Sequence, residues 1–244
     1  GSVFLTVGAL EGTGLIRANG GSAPSRYSGG GGRIAVVLTN SMDFSQVVLQ
    51  AITGTDPARG AGGTIYLEHT NHTAGQGILI VDYNDIAPFN PAFSYTLQNG
   101  KAESAYAFSE IILTNGGIYG LDTNDMLDVT ATTIRSDPAN GLDGICVEGG
   151  TLTVPASFGF TNYFLTLGTN ATFNPTGLLT LGTNAALNLN APFTLGCSVT
   201  SMPGSALTIN APFTLNAPLT VDSGAALTIN AAFPTNEPVS IAPG

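Results

Sequence analysis

The chain has 244 residues, 9% of them charged, and 16 Asp and Glu against six Lys and Arg give a formal net charge of −10. Nucleic acids and anionic membranes bind basic surfaces, so this charge argues against both as partners. No run of roughly 18 apolar residues is present, which argues against a transmembrane helix and against membrane insertion.

Solubility must rest on Thr, Asn, Ser and Gly, a composition that fits an extracellular bacterial protein. The first residues lack a basic region and an apolar signal core, so we expect a mature or excised sequence. Cys146 and Cys197 allow two interpretations: one disulfide formed outside the cell, or two buried free thiols in separate coils. Their spacing does not decide between the two.

Short apolar runs cut by glycine occupy the first third of the chain and predict β-strands. The glycine-dense tract 19–32 predicts a loop or a tight corner where backbones approach closely. A phosphate cradle is disfavoured there, because no Gly-Lys-Ser/Thr follows and the next segment is a strand rather than a helix. The strand-like runs are 3–7, 14–18, 33–38 and 63–67.

Two histidines follow the last of these runs. His69 and His72, with Glu68, supply residue types that bind metal ions. An exposed polar loop is the alternative, because the segment looks like a strand end running into a loop and a third strong ligand is not evident. The sequence leaves both interpretations open and favours the loop.

The strand pattern is interrupted from Asp85 to Lys101, where Pro88 and Pro91 predict a loop near 85–105 that leaves the stack. Strand-like runs then resume at 111–113, 127–129 and 151–154.

The densest group of acids is Asp122, Asp125 and Asp128, and calcium is the cofactor that these oxygens would suit if the loop curls. Aspartates that cap surface turns are the alternative. Their spacing differs from that of an EF-hand loop, whose acids fall at alternate positions around a glycine. We therefore predict no catalytic residue and no cofactor, with calcium at these three aspartates as the alternative.

A tetrapeptide of the form Asn-Ala-Pro/Thr/Ala-Phe returns every 20 residues in the last third of the chain. A fixed period of this length is typical of a solenoid, in which each repeat forms one coil. The first copy also matches the segment 181–185 at an offset of 14, so coil length can vary there. The repeated positions are Asn170, Asn190, Asn210 and Asn230, with Phe173, Phe193, Phe213 and Phe233.

Hydrophobicity alternates within a copy, because Leu207 and Ile209 share one face while Thr208 takes the other. The same alternation follows at 213–215 and 219–221, which predicts three short strands and a roughly triangular coil. Residues that tolerate left-handed backbone angles or lack an N–H donor mark the corners. They are Asn184, Gly204 and Gly224, and Pro192, Pro212 and Pro218.

Coils stacked about 4.8 Å apart would pair each strand with its copies in parallel and align identical residues. We therefore predict an interior stack of the four repeated phenylalanines and a side-chain amide ladder of the four asparagines. Both ladders stabilise a stack, and neither implies chemistry.

Three glycine-rich segments carry a resemblance: 14–21 (Gly-Leu-Ile-Arg-Ala-Asn-Gly-Gly), 29–36 (Gly-Gly-Gly-Gly-Arg-Ile-Ala-Val) and 60–67 (Gly-Ala-Gly-Gly-Thr-Ile-Tyr-Leu). They resemble β-solenoid segments of very large secreted bacterial surface proteins. The resemblance implies a right-handed parallel β-helix in an adhesin-like or structural surface protein, with no catalytic residues to transfer. We predict one continuous all-β solenoid, irregular over 1–150 and regular over 151–244.

Neither terminus looks capped, and solenoids usually cover their end strands with a polar cap. We therefore expect a structural or adhesive extracellular protein that stacks end to end in a filament, as a homopolymer, or continues neighbouring segments of a longer surface fibre. An ice-binding face is disfavoured, because Asn188 interrupts the threonines at 208 and 228.

The alternative function is a polysaccharide lyase, a hydrolase or a carbohydrate-binding β-helix. A pectate-lyase-like site, as that family implies, needs clustered acids for calcium and an Arg or Lys as the base. Beyond the three acids named above, Asp82 and Asp85 form a second pair, and Arg135 is the nearest basic residue. Aromatic side chains for stacking on sugars are Tyr66, Tyr83, Tyr95, Tyr106 and Tyr119.

Overall fold

The structure is a computed structural model that describes residues 1–22, 28–54, 60–84, 96–97, 105–137 and 143–243. These residues form strands and turns and no helix, and most strands pair in parallel. Corresponding strands recur about every 22 residues over about six turns, so the chain is a β-solenoid, as the repeat predicts. The predicted loop near 85–105 lies outside the described residues except for 96–97 and 105.

In chain order the strands are β1 (Ser2–Val7), β2 (Leu15–Arg17), β3 (Arg33–Leu38), β4 (Val48–Gln50), β5 (Thr64–Glu68), β6 (Ile78–Asp82), β7 (Thr96–Leu97), β8 (Tyr106–Ala107), β9 (Glu110–Thr114), β10 (Ile118–Leu121), β11 (Met126–Asp128), β12 (Thr133–Ser136), β13 (Gly144–Val147), β14 (Thr151–Thr153), β15 (Phe158–Phe160), β16 (Phe164–Leu167), β17 (Thr172–Phe173), β18 (Leu178–Leu181), β19 (Ala186–Leu189), β20 (Phe193–Leu195), β21 (Ser198–Ser201), β22 (Ala206–Ile209), β23 (Phe213–Leu215), β24 (Leu219–Val221), β25 (Ala226–Ile229) and β26 (Val239–Ile241).

The chain forms two compact units. The first comprises Gly1–Thr96, Ala107–Tyr119 and Thr132–Arg135, and the second comprises Leu97–Tyr106, Gly120–Ala131 and Ser136–Gly244. A six-stranded sheet in the order β1-β3-β5-β6-β9-β12 and the pair β2-β4 build the first unit. The regular 20-residue repeats lie in the second unit.

Glycine lets backbones approach closely in the first unit, as the sequence predicts. The N–H of Gly32 donates to the carbonyl of Ala18 at 2.6 Å, and the N–H of Gly63 donates to the carbonyl of Ala51 at 2.6 Å. A Cβ atom at Gly63 would overlap the carbonyl oxygen of Gly32. Glycine is therefore the residue that fits these crossings.

A β-hairpin reverses the chain within the first unit. β5 and β6 pair antiparallel, so that Ile65 lies opposite Ile80 and Tyr66 lies opposite Leu79. Opposite residues share a face of the sheet, yet Ile65 is buried in β5 while Leu79 is buried in β6. The sheet therefore buries one face up to β5 and its other face from β6 onward.

Each regular coil of the second unit contains three strands. β19, β20 and β21 form one coil, and β22, β23 and β24 form the next, on three different sheets. Leu187 pairs with Leu207, which pairs with Leu227, and the register therefore keeps the inward-facing residues in columns. Pro192, Pro212 and Pro218 directly precede β20, β23 and β24, which agrees with their predicted place at strand starts.

One corner of each regular coil is a four-residue turn. The third residue has a left-handed φ: 57° at Asn184, 78° at Gly204 and 81° at Gly224. The N–H of the fourth residue donates to the carbonyl of the first in each turn, at 3.0 Å in Gly182–Ala185, Met202–Ser205 and Asp222–Ala225. Asn and Gly tolerate this conformation, so the sequence specifies the corner locally.

Candidate functional site

Three asparagines of the repeat form an exposed side-chain amide ladder. Asn190, Asn210 and Asn230 follow strands β19, β22 and β25 directly. Nδ2 of Asn210 donates to Oδ1 of Asn190 at 2.9 Å, and Nδ2 of Asn230 donates to Oδ1 of Asn210 at 2.7 Å. Each amide donates toward the preceding coil, so the ladder has a direction. Oδ1 of Asn230 is the acceptor that an amide of a following coil would use.

Asn170 lies outside this ladder, which corrects the prediction for the first copy. The N–H of Asn190 donates to the carbonyl of Leu167 at 2.9 Å, which places Asn190 beside Gly168 in the stack. Asn170 occupies a turn instead, with a left-handed φ of 63°, and the N–H of Ala171 donates to the carbonyl of Gly168 at 3.3 Å. This corner resembles the turn at 182–185, which explains the match at an offset of 14.

Three of the four repeated phenylalanines lie along one column of the second unit, whereas Phe173 belongs to a strand of another sheet. Phe193 pairs with Phe213, and the rings of Phe213 and Phe233 stack with centroids 5.5 Å apart. Phe173 is buried and pairs with Leu152. Phe173, Phe193 and Phe213 line one apolar cavity of about 10 Å³, at the lower limit for holding one water, so these rings are closely packed.

The three clustered aspartates serve turns. The N–H of Asp122 donates to Oδ2 of Asp125 at 2.9 Å, and Asp125 is only 1% exposed. Oδ1 of Asp128 accepts from the N–H of Thr130 at 2.9 Å. Among the described residues, no group of three or more His, Cys, Asp or Glu is placed to hold a metal ion. The observed bonds match the turn-capping interpretation.

The other acidic and basic candidates are also engaged. Oδ1 of Asp82 accepts from the N–H of Asn84 at 2.7 Å and from Nδ2 of Asn115 at 2.9 Å, while Asp85 lies outside the described residues. Arg135 forms an ion pair with Glu110. The described residues that a lyase-like site would draw on therefore make local structural contacts.

Two acids stack at one corner of the second unit, a feature that the sequence analysis missed. The N–H of Glu148 donates to the carbonyl of Leu121 at 2.8 Å, which places Glu148 beside Asp122. Burial raises the pKa of Glu148, and the negative charge of Asp122 raises it further. Gly168 occupies the next coil, where a Cβ would overlap the Glu148 carboxylate. This column continues into the asparagine ladder.

The histidines form a turn rather than an open metal site. The N–H of His69 donates to Nδ1 of His72 at 3.2 Å, and the N–H of Asn71 donates to Nδ1 of His69 at 3.2 Å. Glu68 Oε2 accepts from the N–H of Gly75 at 2.8 Å and from the hydroxyl of Tyr66. These bonds engage Nδ1 of both rings and one oxygen of Glu68, and among the described residues no group of three or more His, Cys, Asp or Glu is placed here to hold a metal ion.

Two tyrosines proposed as sugar-stacking residues lie in the core, which corrects that part of the prediction. Tyr83 and Tyr119 are almost fully buried, and the Tyr83 hydroxyl donates to the carbonyl of Ile118 at 3.2 Å. Tyr66 is half-buried and Tyr106 is exposed, whereas Tyr95 lies outside the described residues. Of the described tyrosines, Tyr83 and Tyr119 are therefore too buried to stack on a sugar.

Both cysteines are free and buried. Burial raises the pKa of Cys146 to about 12, with a further contribution from the carboxylate of Glu148, and burial also raises the pKa of Cys197. Thiols held this firmly in the protonated form are poor nucleophiles. Their role is packing.

The apolar columns of the second unit reach an exposed edge at the coil β25 to β26. β25 and β26 are the last strands of their sheets. Ile229 is 46% exposed and Ile241 is 63% exposed, although the residues before them in the same columns, Ile209 and Val221, are buried. This edge, termed the terminal edge below, combines unpaired strand backbone with apolar side chains.

Comparisons with protein-family models, with curated proteins and with solved structures find no match to this chain. In the part of the chain that the structure describes, no helix is long and apolar enough to cross a membrane.

Proposed function

We propose that this chain is a structural or adhesive β-solenoid of the cell exterior, in which further solenoid coils continue the stack at the terminal edge. The coils belong either to identical subunits of a filament or to a longer surface fibre. The observation that carries the proposal is the exposure of Ile229 and Ile241 beside the unpaired edges of β25 and β26. Unpaired strands with apolar side chains are templates for further strand pairing.

The amide ladder supports the same function. Asn230 donates to Asn210, and no donor reaches Oδ1 of Asn230 in the described part of the chain. A following parallel coil with asparagine at this corner would extend the ladder without changing its direction. Phe233 likewise stacks on Phe213 with one face. The hydrogen bonds and the aromatic column therefore both suit continuation.

Composition supports a role in the cell exterior. The chain is 9% charged, against about 25% in ordinary globular proteins. Its glycine-rich segments resemble those of large secreted bacterial surface proteins. A stiff stack of hydrogen-bonded coils suits a rod-like scaffold, and the partners that fit it are further solenoid coils and, for an adhesive role, polysaccharide.

Sedimentation velocity over a wide concentration range tests the filament form. The wild type should associate as concentration rises, and Ile241→Lys should abolish association by placing a charge at the terminal edge. The matched control is Met202→Lys, because Met202 is also an exposed apolar residue but lies on an inner coil. Monomers at every concentration, or equal loss of association in both variants, would contradict the filament form.

A polysaccharide-active β-helix is the second class of function, and fewer observations support it. The candidate acids are bonded within turns and two of the tyrosines are buried. Incubation with a panel of neutral and acidic polysaccharides tests it directly. Release of unsaturated or reducing sugar ends would establish an enzyme and overturn the purely structural function.

A further inference from the structure

The turn that holds the two histidines lies in the hairpin loop 69–77, between β5 and β6. The N–H of His72 donates to the carbonyl of His69 at 2.9 Å, and the N–H of His69 donates back to Nδ1 of His72 at 3.2 Å. The two imidazole rings stack with centroids 3.7 Å apart. Both ring Nδ1 atoms thus accept hydrogen bonds from backbone N–H groups of the same turn.

This arrangement fixes where the ring protons are. An Nδ1 atom that accepts a hydrogen bond carries no proton, so each neutral ring is protonated at Nε2. A proton added to His72 must therefore bind to Nδ1. Protonated Nδ1 of His72 is a donor, and it can no longer accept from the N–H of His69. The positive charge also faces the stacked ring of His69.

The groups around the pair come from β5 and from the loop before β4. Glu68 precedes it on β5, and its Oε2 is held by Tyr66 and by the N–H of Gly75. From the loop before β4, the ring of Phe44 lies 6.1 Å from the ring of His69. Asp43 precedes Phe44, and its Oδ1 accepts from the N–H of Ser45 at 2.7 Å.

The electrostatic balance favours neutral histidine in the closed turn. Burial and the neighbouring His69 lower the pKa of His72, and Glu68 opposes them with a smaller contribution. A histidine whose pKa is lower in the closed turn than in the open one stabilises the closed turn at high pH. That stabilisation is lost as the pH falls from the ordinary histidine value near 6.5 through the lowered pKa of His72.

We infer that the His69–His72 turn is an acid-sensitive clasp over Phe44, closed when the ring of His72 is neutral and opened when its Nδ1 atom is protonated. Phe44 is partly buried against the core of the first unit, so opening removes its cover and exposes an aromatic side chain. The clasp does not depend on the proposed structural function, because it lies in the hairpin and not at the terminal edge.

Phe44→Trp reports on the clasp directly, because the chain has no other tryptophan. Its emission should shift to the red between about pH 7.5 and about pH 5, around the histidine range. In His69→Gln/His72→Gln the shift should disappear, because glutamine can still accept a hydrogen bond and does not ionise. Phe233→Trp, in the second unit, is the control for general acid unfolding and should not change.

Ring nitrogen NMR of the wild type provides the second measurement. The chain has two histidines, so His72→Gln assigns both sets of signals. At high pH both rings should show a protonated Nε2, and the titration of His72 should follow the tryptophan shift. An emission shift that persists in the double variant, or rings with protonated Nδ1 at high pH, would overturn the clasp.

Discussion

The glycine-rich coils of the first unit and the regular coils of the second unit hold parallel strands together in different ways. In the first, backbones cross so closely that Gly32 and Gly63 have no room for a side chain. In the second, repeated side chains align in columns, as at Leu187, Leu207 and Leu227. One region depends on the absence of side chains and the other on their repetition, so substitutions should affect the two regions differently.

The largest effect is expected in the aromatic column. Phe213→Ala should lower the free energy of unfolding by about 3–5 kcal/mol, because a buried aromatic ring is lost and the cavity it leaves cannot close fully. Urea unfolding measures the change. Phe233→Ala is the control, since Phe233 is only partly buried and should cost clearly less. Equal losses of unfolding free energy in the two variants would show that the position of a phenylalanine in the column does not determine its contribution to stability.

A similar loss is expected from one added methyl group in the first unit. Gly63→Ala should cost about 1–3 kcal/mol or more, because its Cβ would overlap backbone atoms that cannot move independently. The midpoint of thermal unfolding measures it. Gly14→Ala is the matched control, because no heavy atom lies within 4 Å of a Cβ at Gly14. A tolerated Gly63→Ala would remove the distinction between the two kinds of coil.

Substitution by glycine separates the two roles of asparagine. Asn210→Gly removes two ladder hydrogen bonds and should cost about 1–2 kcal/mol. Asn170→Gly should be neutral or slightly stabilising, because glycine adopts the observed φ of 63° without strain. Urea unfolding of both variants decides the point. If Asn170→Gly is as costly as Asn210→Gly, Asn170 would belong to the ladder.

The smallest effect concerns the stacked acids. The pKa of Glu148 is raised in the folded chain, so wild-type stability should fall as the pH rises from the ordinary glutamate range near 4 through the raised value. Glu148→Gln should lose this decline, and Asp122→Asn should reduce it. Thermal unfolding measured across pH gives the slopes. An unchanged slope in Glu148→Gln would contradict the stacked arrangement.

Most of the second unit could be predicted from the sequence, because few folds other than a β-solenoid combine a period-two alternation with a 20-residue repeat. The corner residues Asn184, Gly204 and Gly224 adopt the predicted left-handed angles. Asn170 was misplaced because a sequence repeat does not show whether a corner contains additional residues. Register, and not residue identity, decides which asparagines meet.

The hairpin of the first unit could not be recognised from alternation, because parallel and antiparallel strands share the same period. A signal was present in the spacing, since residues 69–77 are too few to form a coil of about 22 residues. Burial of Tyr83 follows from the same reversal, because the sheet changes its buried face at β6.

The central claim is that the terminal edge is continued by a further coil, and a lengthened chain tests it most directly. A second copy of residues 206–225 is added after the C-terminus. Its first alanine is placed as many residues after Ala226 as Ala226 lies after Ala206. Hydrogen exchange of the β25 and β26 amides should slow about tenfold or more, because each newly formed edge hydrogen bond protects its donor. Unchanged exchange at these strands would contradict the account.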